Sequence, residues 1–445
     1  MNSSMLSRLR QEWAQFHYQY FAQRVPFFTP QQPHYQYESV SFGFILGLIF
    51  LFGAFFSPMP ADDLLRHVHA WRYDYDYRLL FPDYPYAFNS WHLFDVAVGG
   101  LYQLFGDLSI KLIQGMSLML FAVGVWLNLK GLHPDWKKLV VLLVIWLLAP
   151  RFLLARPAMF EASLMLIAIG LTHYRYHPWV DRVVHLSLGM LMVSFYHLFF
   201  IYTLPLLLWR KIYIVPMLVG AGSWYFLTDG DYAVEVYEIL TFGSLRIEGV
   251  IVSENVFALP VIALVLATAW LFAQPMRQQW RWWLMAGWFS LPMQLRYLID
   301  ILYPVAAILL AKRFDVRPHP FLLLLALVAV KSSTGTGFYF AQSKSEQPLA
   351  LFEQGERVLA ESLGTNFWVV NQGAAQGIQV FPAMEIGFSP ADIQQIGLDA
   401  KVSCELLYQY QIDVLVESRM IELPMACLRL RASTVDGYKL WQVEN

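Results

Sequence analysis

Apolar run follows apolar run from Ser41 to about Phe340, and the stretch from Ser343 to Asn445 then reads like an ordinary soluble domain. Crossing a bilayer takes about 20 apolar residues, fewer where helices tilt or break. Starts near Phe42, Ser109, Leu139, Phe160, Val184, Leu198, Ile212, Val256, Trp282, Leu298 and Phe321 give about eleven such spans. Only 14% of the 445 residues are charged, whereas soluble domains carry about 25%. The expected fold is therefore a polytopic α-helical membrane protein with a small C-terminal α/β extramembrane domain. Its parts are a cytoplasmic N-terminal segment, 1–40, a membrane domain, 41–342, with an outer loop at 58–108, and the α/β domain, 343–445. Residues 1–37 are too polar and aromatic for a signal peptide, so the first apolar run is expected to stay as a span. A net charge of −2 argues against nucleic acid as a partner, which calls for a basic face.

Lys and Arg in short loops set the orientation. With the N-terminus inside, the inner loops are "NLKGLHPDWKK", "THYRYHPWVDR", "WRKI", "PMRQQWRW" and "KRFDVRPHP", all basic. The outer loops, among them 58–108 and "DGDYAVEVYEILTFGSLRIEGVIVSEN", are acid-rich on balance. Residues 89–106 are apolar but carry His92 and Asp95, and counting them as a span would put the basic loops outside. They are expected to lie as a helix at the interface. An odd number of spans then places the C-terminal domain outside as well.

That domain is expected to alternate helix and strand: helix in "LALFEQGERVLAESLG", strands in "FWVVNQ" and "IQVF", and helices in "SPADIQQIG" and "SCELLYQYQ". "IDVLVES" reads as a strand, and "CLRLRASTVDGYKLWQVEN" as a hairpin about Asp436-Gly437. Its Cys404 and Cys427 are the two cysteines of the chain. They pair if the domain faces an oxidising compartment, or stay as buried thiols; spacing leaves both open.

Charged residues at span mouths are the candidate site residues, because charge is costly near hydrocarbon. Asp62 and Asp63 follow the first apolar run directly, with Arg66, His67 and His69 next and an aromatic loop beyond. On a helix from Pro60, Asp62 and Arg66 lie one turn apart and can pair or share a ligand. A solvated helix start gives the same pattern, since acids favour that end of the helix dipole. Tyr and Trp rings in the loop suit stacking on sugar faces. In "APRFLLARPAMFEASLML", Arg156 has a donor fork suited to phosphate and Glu161 can complete an acidic site with Asp62; a mutual Arg156–Glu161 pair is the alternative. Arg296 and Tyr297 stand at the outer end of a late span, where Arg either meets an anion or snorkels. His197 lies at an outer turn, where a lone His is more often structural than catalytic; with Arg66, Arg156, Glu161, Arg296 and Tyr297 it makes up the expected substrate- and phosphate-binding set. His67 and His69, two apart, point to different faces of a helix, so they make no zinc-type pair. Asp62 and Glu161 with water are the set able to hold a hard divalent cation such as Mg or Mn; no cofactor is otherwise expected.

The order of these features resembles the GT-C superfamily of polyprenyl-phosphate-sugar-dependent glycosyltransferases, which includes protein O-mannosyltransferases and aminoarabinose transferases. The resemblance covers nearly the whole chain: a first span, the acidic pair Asp62-Asp63, a juxtamembrane helix ending in "YQLFGD", and "LLARP" after the third span. A short fifth-sixth hairpin, "RYLIDILYP", and a tail with "QYQIDVLV" and "GYKLWQV" complete it. It implies a multi-pass enzyme of the bacterial inner membrane with a periplasmic C-terminal domain. That enzyme would move a sugar from a polyprenyl-phosphate carrier to a glycan, lipid or protein hydroxyl, with membrane lipids around it. Asp62 or Asp63 would be the general base of an inverting transfer, and Arg296 and Arg156 would neutralise the departing phosphate. The chain departs from the pattern at "RPAMFE": many relatives have an acid directly after this Pro, and here Ala158 stands there, with Glu161 one turn on. Two other classes fit the composition. One is a transporter or flippase for lipid-linked sugars, although no internal repeat is visible. The other is a non-catalytic envelope scaffold.

Overall fold

A computed structural model describes residues 33–56, 63–82, 91–174, 176–196, 198–228, 230–234, 280–289, 304–305, 308, 351–361, 365, 369–370, 376–383, 390–394, 396, 402–418, 426–434 and 438–444. The protein is mostly helical, and the described residues include a small sheet. Helix α1, Pro33–Leu51, runs into one π turn, Phe52–Phe56. Next come the short α2, Asp63–His69, a 3₁₀ turn, Ala70–Tyr73, and the one-turn α3, Tyr77–Leu80. Helices α4, His92–Phe105, and α5, Asp107–Asn128, meet at Gly106, whose φ of 56° is open to glycine at little cost. Then follow α6, Pro134–Phe152, α7, Pro157–Leu171, α8, Pro178–Phe195, α9, Phe200–Leu206, α10, Ile214–Leu227, and α11, Trp280–Phe289.

Among the described residues one helix, α5, is long and apolar enough to cross a membrane. The other expected spans differ for identifiable reasons. Helix α6 carries Asp135, Lys137, Lys138 and Arg151, and α8 opens with Asp181, Arg182 and His185. Apolar helices at Phe42–Phe55, Pro157–Leu171 and Lys211–Leu227 are shorter. The starts at Val256, Leu298 and Phe321 fall outside the described residues. Helix α4 has 14 residues, about 21 Å at 1.5 Å per residue, which is short of a bilayer core of about 30 Å.

Helices α5 and α7 pack closely because Gly124 and Gly170 remove side chains from the contact. A β-carbon at Gly124 would sit 2.8 Å from that of Leu166. Asn128 on α5 then donates to the Leu166 carbonyl at 2.7 Å and to its own Gly124 carbonyl at 2.8 Å. Small residues and interhelical amide bonds of this kind hold helices together where no water competes.

In the C-terminal domain, strands β1, Arg357–Ala360, β2, Gln379–Pro382, β3, Val414–Ser418, β4, Leu428–Ser433, and β5, Tyr438–Val443, form a mixed sheet in the order β2-β1-β3-β5-β4. β1 is parallel to β2 and β3, and β5 is antiparallel to β3 and β4. Alternate side chains go to opposite faces. Leu359, Phe381 and Leu415 face a core shared with α12, Ala391–Gln394, and α13, Cys404–Gln409. Cys404 and Cys427 are joined in a disulfide at that side. Val358, Val380, Val414, Val416 and Leu440 face the other way, where Ala70, Tyr73, Tyr77, Leu80 and Phe81, from the segment between α2 and α4, cover them.

"GERVLA" was expected to be helical and is strand β1. Its Val358, Leu359 and Ala360 are buried on both faces of the sheet, so no alternation marks it as a strand, and packing overrides the helix preference of Leu and Ala. In "FWVVNQ", expected as a strand, Val369 and Val370 are helical. "IQVF", "IDVLVES" and the hairpin strands form as expected, and Ser403 caps α13 by accepting from the Leu406 amide at 3.2 Å.

Candidate functional site

Helix α2, which begins at Asp63, is buried from Leu64 to His69. Leu64, Leu65 and Val68 pack with Phe94 and Val98 of α4, Ile110 and Ile113 of α5, and Ala155 and Phe160 at the start of α7. Arg66, His67 and His69 share that burial, and polar groups so placed need partners. His67 finds one in Asp95 of α4, with Nδ1 and Oδ1 2.5 Å apart. The Tyr77 hydroxyl donates to the other oxygen of Asp95 at 2.8 Å. A carboxylate only accepts, so His67 Nδ1 carries the proton.

Asp95 is 0% exposed, and Arg66, 3% exposed, lies with its guanidinium 5.3 Å from the Trp91 ring and 5.7 Å from the Tyr77 ring. The Tyr73 hydroxyl donates to the Arg66 carbonyl at 3.1 Å. Burial, reinforced by the charge of Asp95, holds the Tyr73 and Tyr77 hydroxyls well above the usual tyrosine range, so both remain donors. Between these tyrosines, Asp74 and Tyr75 take left-handed φ values of 52° and 60°, which turns the chain back so that the two rings lie 5.4 Å apart.

The second part of the site is the reversal between α6 and α7. It is buried, so its carbonyls cannot turn to water. Gln114 donates to the Leu153 carbonyl at 2.8 Å and Ser117 to that of Phe152 at 2.9 Å, both from α5. Ala155 follows with φ of 52°, and Arg156, extended before Pro157, stands at the N-cap of α7. Glu161, 0% exposed, has no hydrogen-bond partner for either oxygen among the described residues. The Arg156–Glu161 pair does not form: Arg156 stands outside the helix in an extended conformation at its N-cap, while Glu161 lies more than one turn inside it.

Phe94 joins the two parts. Its ring lies 5.2 Å from His67, 5.6 Å from Phe160 and 6.0 Å from Phe195. The elements bearing Asp63, Arg66, Arg156 and Glu161 therefore converge, together with the end of α8 that leads to His197. Asp62, His197, Arg296 and Tyr297 lie outside the described residues, and the side chain of Asp63 is not described. Arg66, expected to bind phosphate, is turned into the protein between two rings. Tyr73 and Tyr77, rings of the loop expected to stack on sugar, are buried against the C-terminal sheet instead. Among the described residues no three His, Cys, Asp or Glu side chains come together as a metal set. Glu161 thus lacks described companions for a hard cation, which takes six or more oxygens.

Sequence reasoning missed the Asp95–His67–Tyr77 network. The available signal was one acid inside the apolar "HLFDVAVGGLYQLF", since a buried carboxylate implies a partner. The chain matches no protein-family model and no curated protein.

Proposed function

We propose that this protein is a polytopic membrane glycosyltransferase of the GT-C type, taking sugar from a polyprenyl-phosphate carrier at the outer face of a bacterial inner membrane. The observation that carries the reading is the convergence of the acid-pair helix α2 with α4 and the "LLARP" turn around Phe94. Two further observations support it. Large apolar side chains stay exposed on α1 and α10, such as Phe44 at 68% and Phe226 at 79%, as lipid-facing helices require. The disulfide in the C-terminal domain suits an oxidising compartment such as the periplasm.

In this mechanism a carboxylate of Asp62 or Asp63 takes the proton of the acceptor hydroxyl as its oxygen attacks the anomeric carbon. The bond from that carbon to the carrier phosphate breaks, with inversion, through an oxocarbenium-like transition state. Arg156 and Arg296 neutralise the departing polyprenyl phosphate. No step is assigned to a metal ion.

One observation favours a transporter for lipid-linked sugars. Glu161, buried in a helix without a described partner, is the kind of residue that relays protons in pumps. Purified protein in vesicles, given polyprenyl phosphate carrying a radiolabelled sugar and a mixed glycan and lipid acceptor pool, separates the readings. The enzyme forms a new glycosidic bond. Movement of the intact donor between leaflets with no new bond would contradict it and support the transporter.

A further inference from the structure

Tyr77 belongs to two structures at once. Its ring is part of the core beneath the C-terminal sheet, with Val358, Val414 and Val416, while its hydroxyl reaches Asp95 on α4. Asp95 in turn holds His67, in the middle of α2 and one turn beyond Asp63. All three side chains are buried. A displacement of the sheet therefore cannot leave α2 unmoved without breaking a hydrogen bond to a buried carboxylate, among the most costly bonds to lose.

We infer that Asp95 and Tyr77 are positioning residues that make the C-terminal domain an integral part of the site: through Tyr77, Asp95 and His67 the sheet sets the placement of α2, the helix that begins at Asp63. The inference rests on the proposed transferase reading for its catalytic consequence, but not for its structural one. A domain that merely stabilised the chain would need only the apolar face of the loop. The polar chain running from the sheet's core to α2 adds an orientation, because two acceptor oxygens fix the His67 ring and the Tyr77 hydroxyl together.

The test uses full-length protein in lipid nanodiscs and compares Tyr77→Phe, which keeps the ring in the sheet's core, with Asp95→Ala and Asp95→Asn. Hydrogen exchange at the amides of residues 64–69 is read first. Both Tyr77→Phe and Asp95→Ala are expected to speed it about tenfold or more, with strands β1 and β3 unchanged in Tyr77→Phe. Kinetics are read second. Tyr77→Phe should lower kcat about tenfold at unchanged KM for the donor, and the loss should vanish when Asp62 and Asp63 are already Asn, since misplacing an absent base costs nothing.

Unchanged exchange at 64–69 in both variants overturns the inference whatever the activity. Faster exchange with losses that add to those of the acid-pair variants also overturns it, because the residues then act only on stability. Faster exchange in a protein that never transfers sugar upholds the coupling and sinks the transferase reading instead.

Discussion

Two fully buried carboxyls in this protein have opposite surroundings. Asp95 on α4 accepts from His67 and from Tyr77. Glu161 on α7 has no hydrogen-bond partner among the described residues. A buried charge with good partners is a structural device, strongly destabilising when one partner is removed. A buried carboxyl without partners costs free energy, and its retention points to a use beyond packing. The two sit on elements that meet at Phe94, so one junction holds both a rigid support and a chemically uncommitted acid.

The largest expected effect lies on the supported side. Asp95→Ala should lower stability by about 3–5 kcal/mol, because His67 loses its buried partner; thermal unfolding in detergent reads this. Glu161→Met should instead be neutral or stabilising, and a large loss of stability there would erase the contrast. Next comes the disulfide, which lies outside the junction and so serves as a control. Cys404→Ser opens a loop closed across 23 residues, at a cost of about 3 kcal/mol, and should leave α2 exchange unaltered.

Gln114→Ala should cost about 1–3 kcal/mol, since the Leu153 carbonyl is left buried and unpaired at the reversal that leads to Glu161. The smallest effect is one of pH. The folded protein holds the Tyr77 proton well above the ordinary value of 10.0. Above that value the unfolded chain loses a proton that the folded chain keeps, so stability must fall as pH rises beyond about 10. Below it this contribution is fully present. Denaturant titrations between pH 9 and 11 should show a shallower fall in Tyr77→Phe.

The elements that sequence reasoning reached are those whose side chains announce themselves locally. The run before Asp62, the helix in "SCELLYQYQ" and the β4–β5 hairpin are of this kind. Strand β1 escaped because Val358, Leu359 and Ala360 are buried on both faces, and that burial comes from β2, β3, the helices α12 and α13 and residues 70–81, all distant in the chain. The aromatic loop misled in the same way. Tyr73 and Tyr77 have the chemistry to stack on sugar, and only the fold reveals that the C-terminal sheet covers them. Asp95 was visible as an acid in an apolar helix, but its partner His67 lies 28 residues earlier, and no local pattern links the two. The pairing of Cys404 with Cys427, open from spacing, is settled by α13 and β4 meeting on one face of the sheet.

The central claim is that the acidic pair Asp62-Asp63 does the chemistry, and the Asp62→Asn, Asp63→Asn double variant tests it most directly. In nanodiscs with a radiolabelled polyprenyl-phosphate sugar, the variant should still bind the donor with near-native affinity while the single-turnover rate of transfer falls at least a hundredfold. Transfer at the native rate with both carboxylates gone would contradict the account.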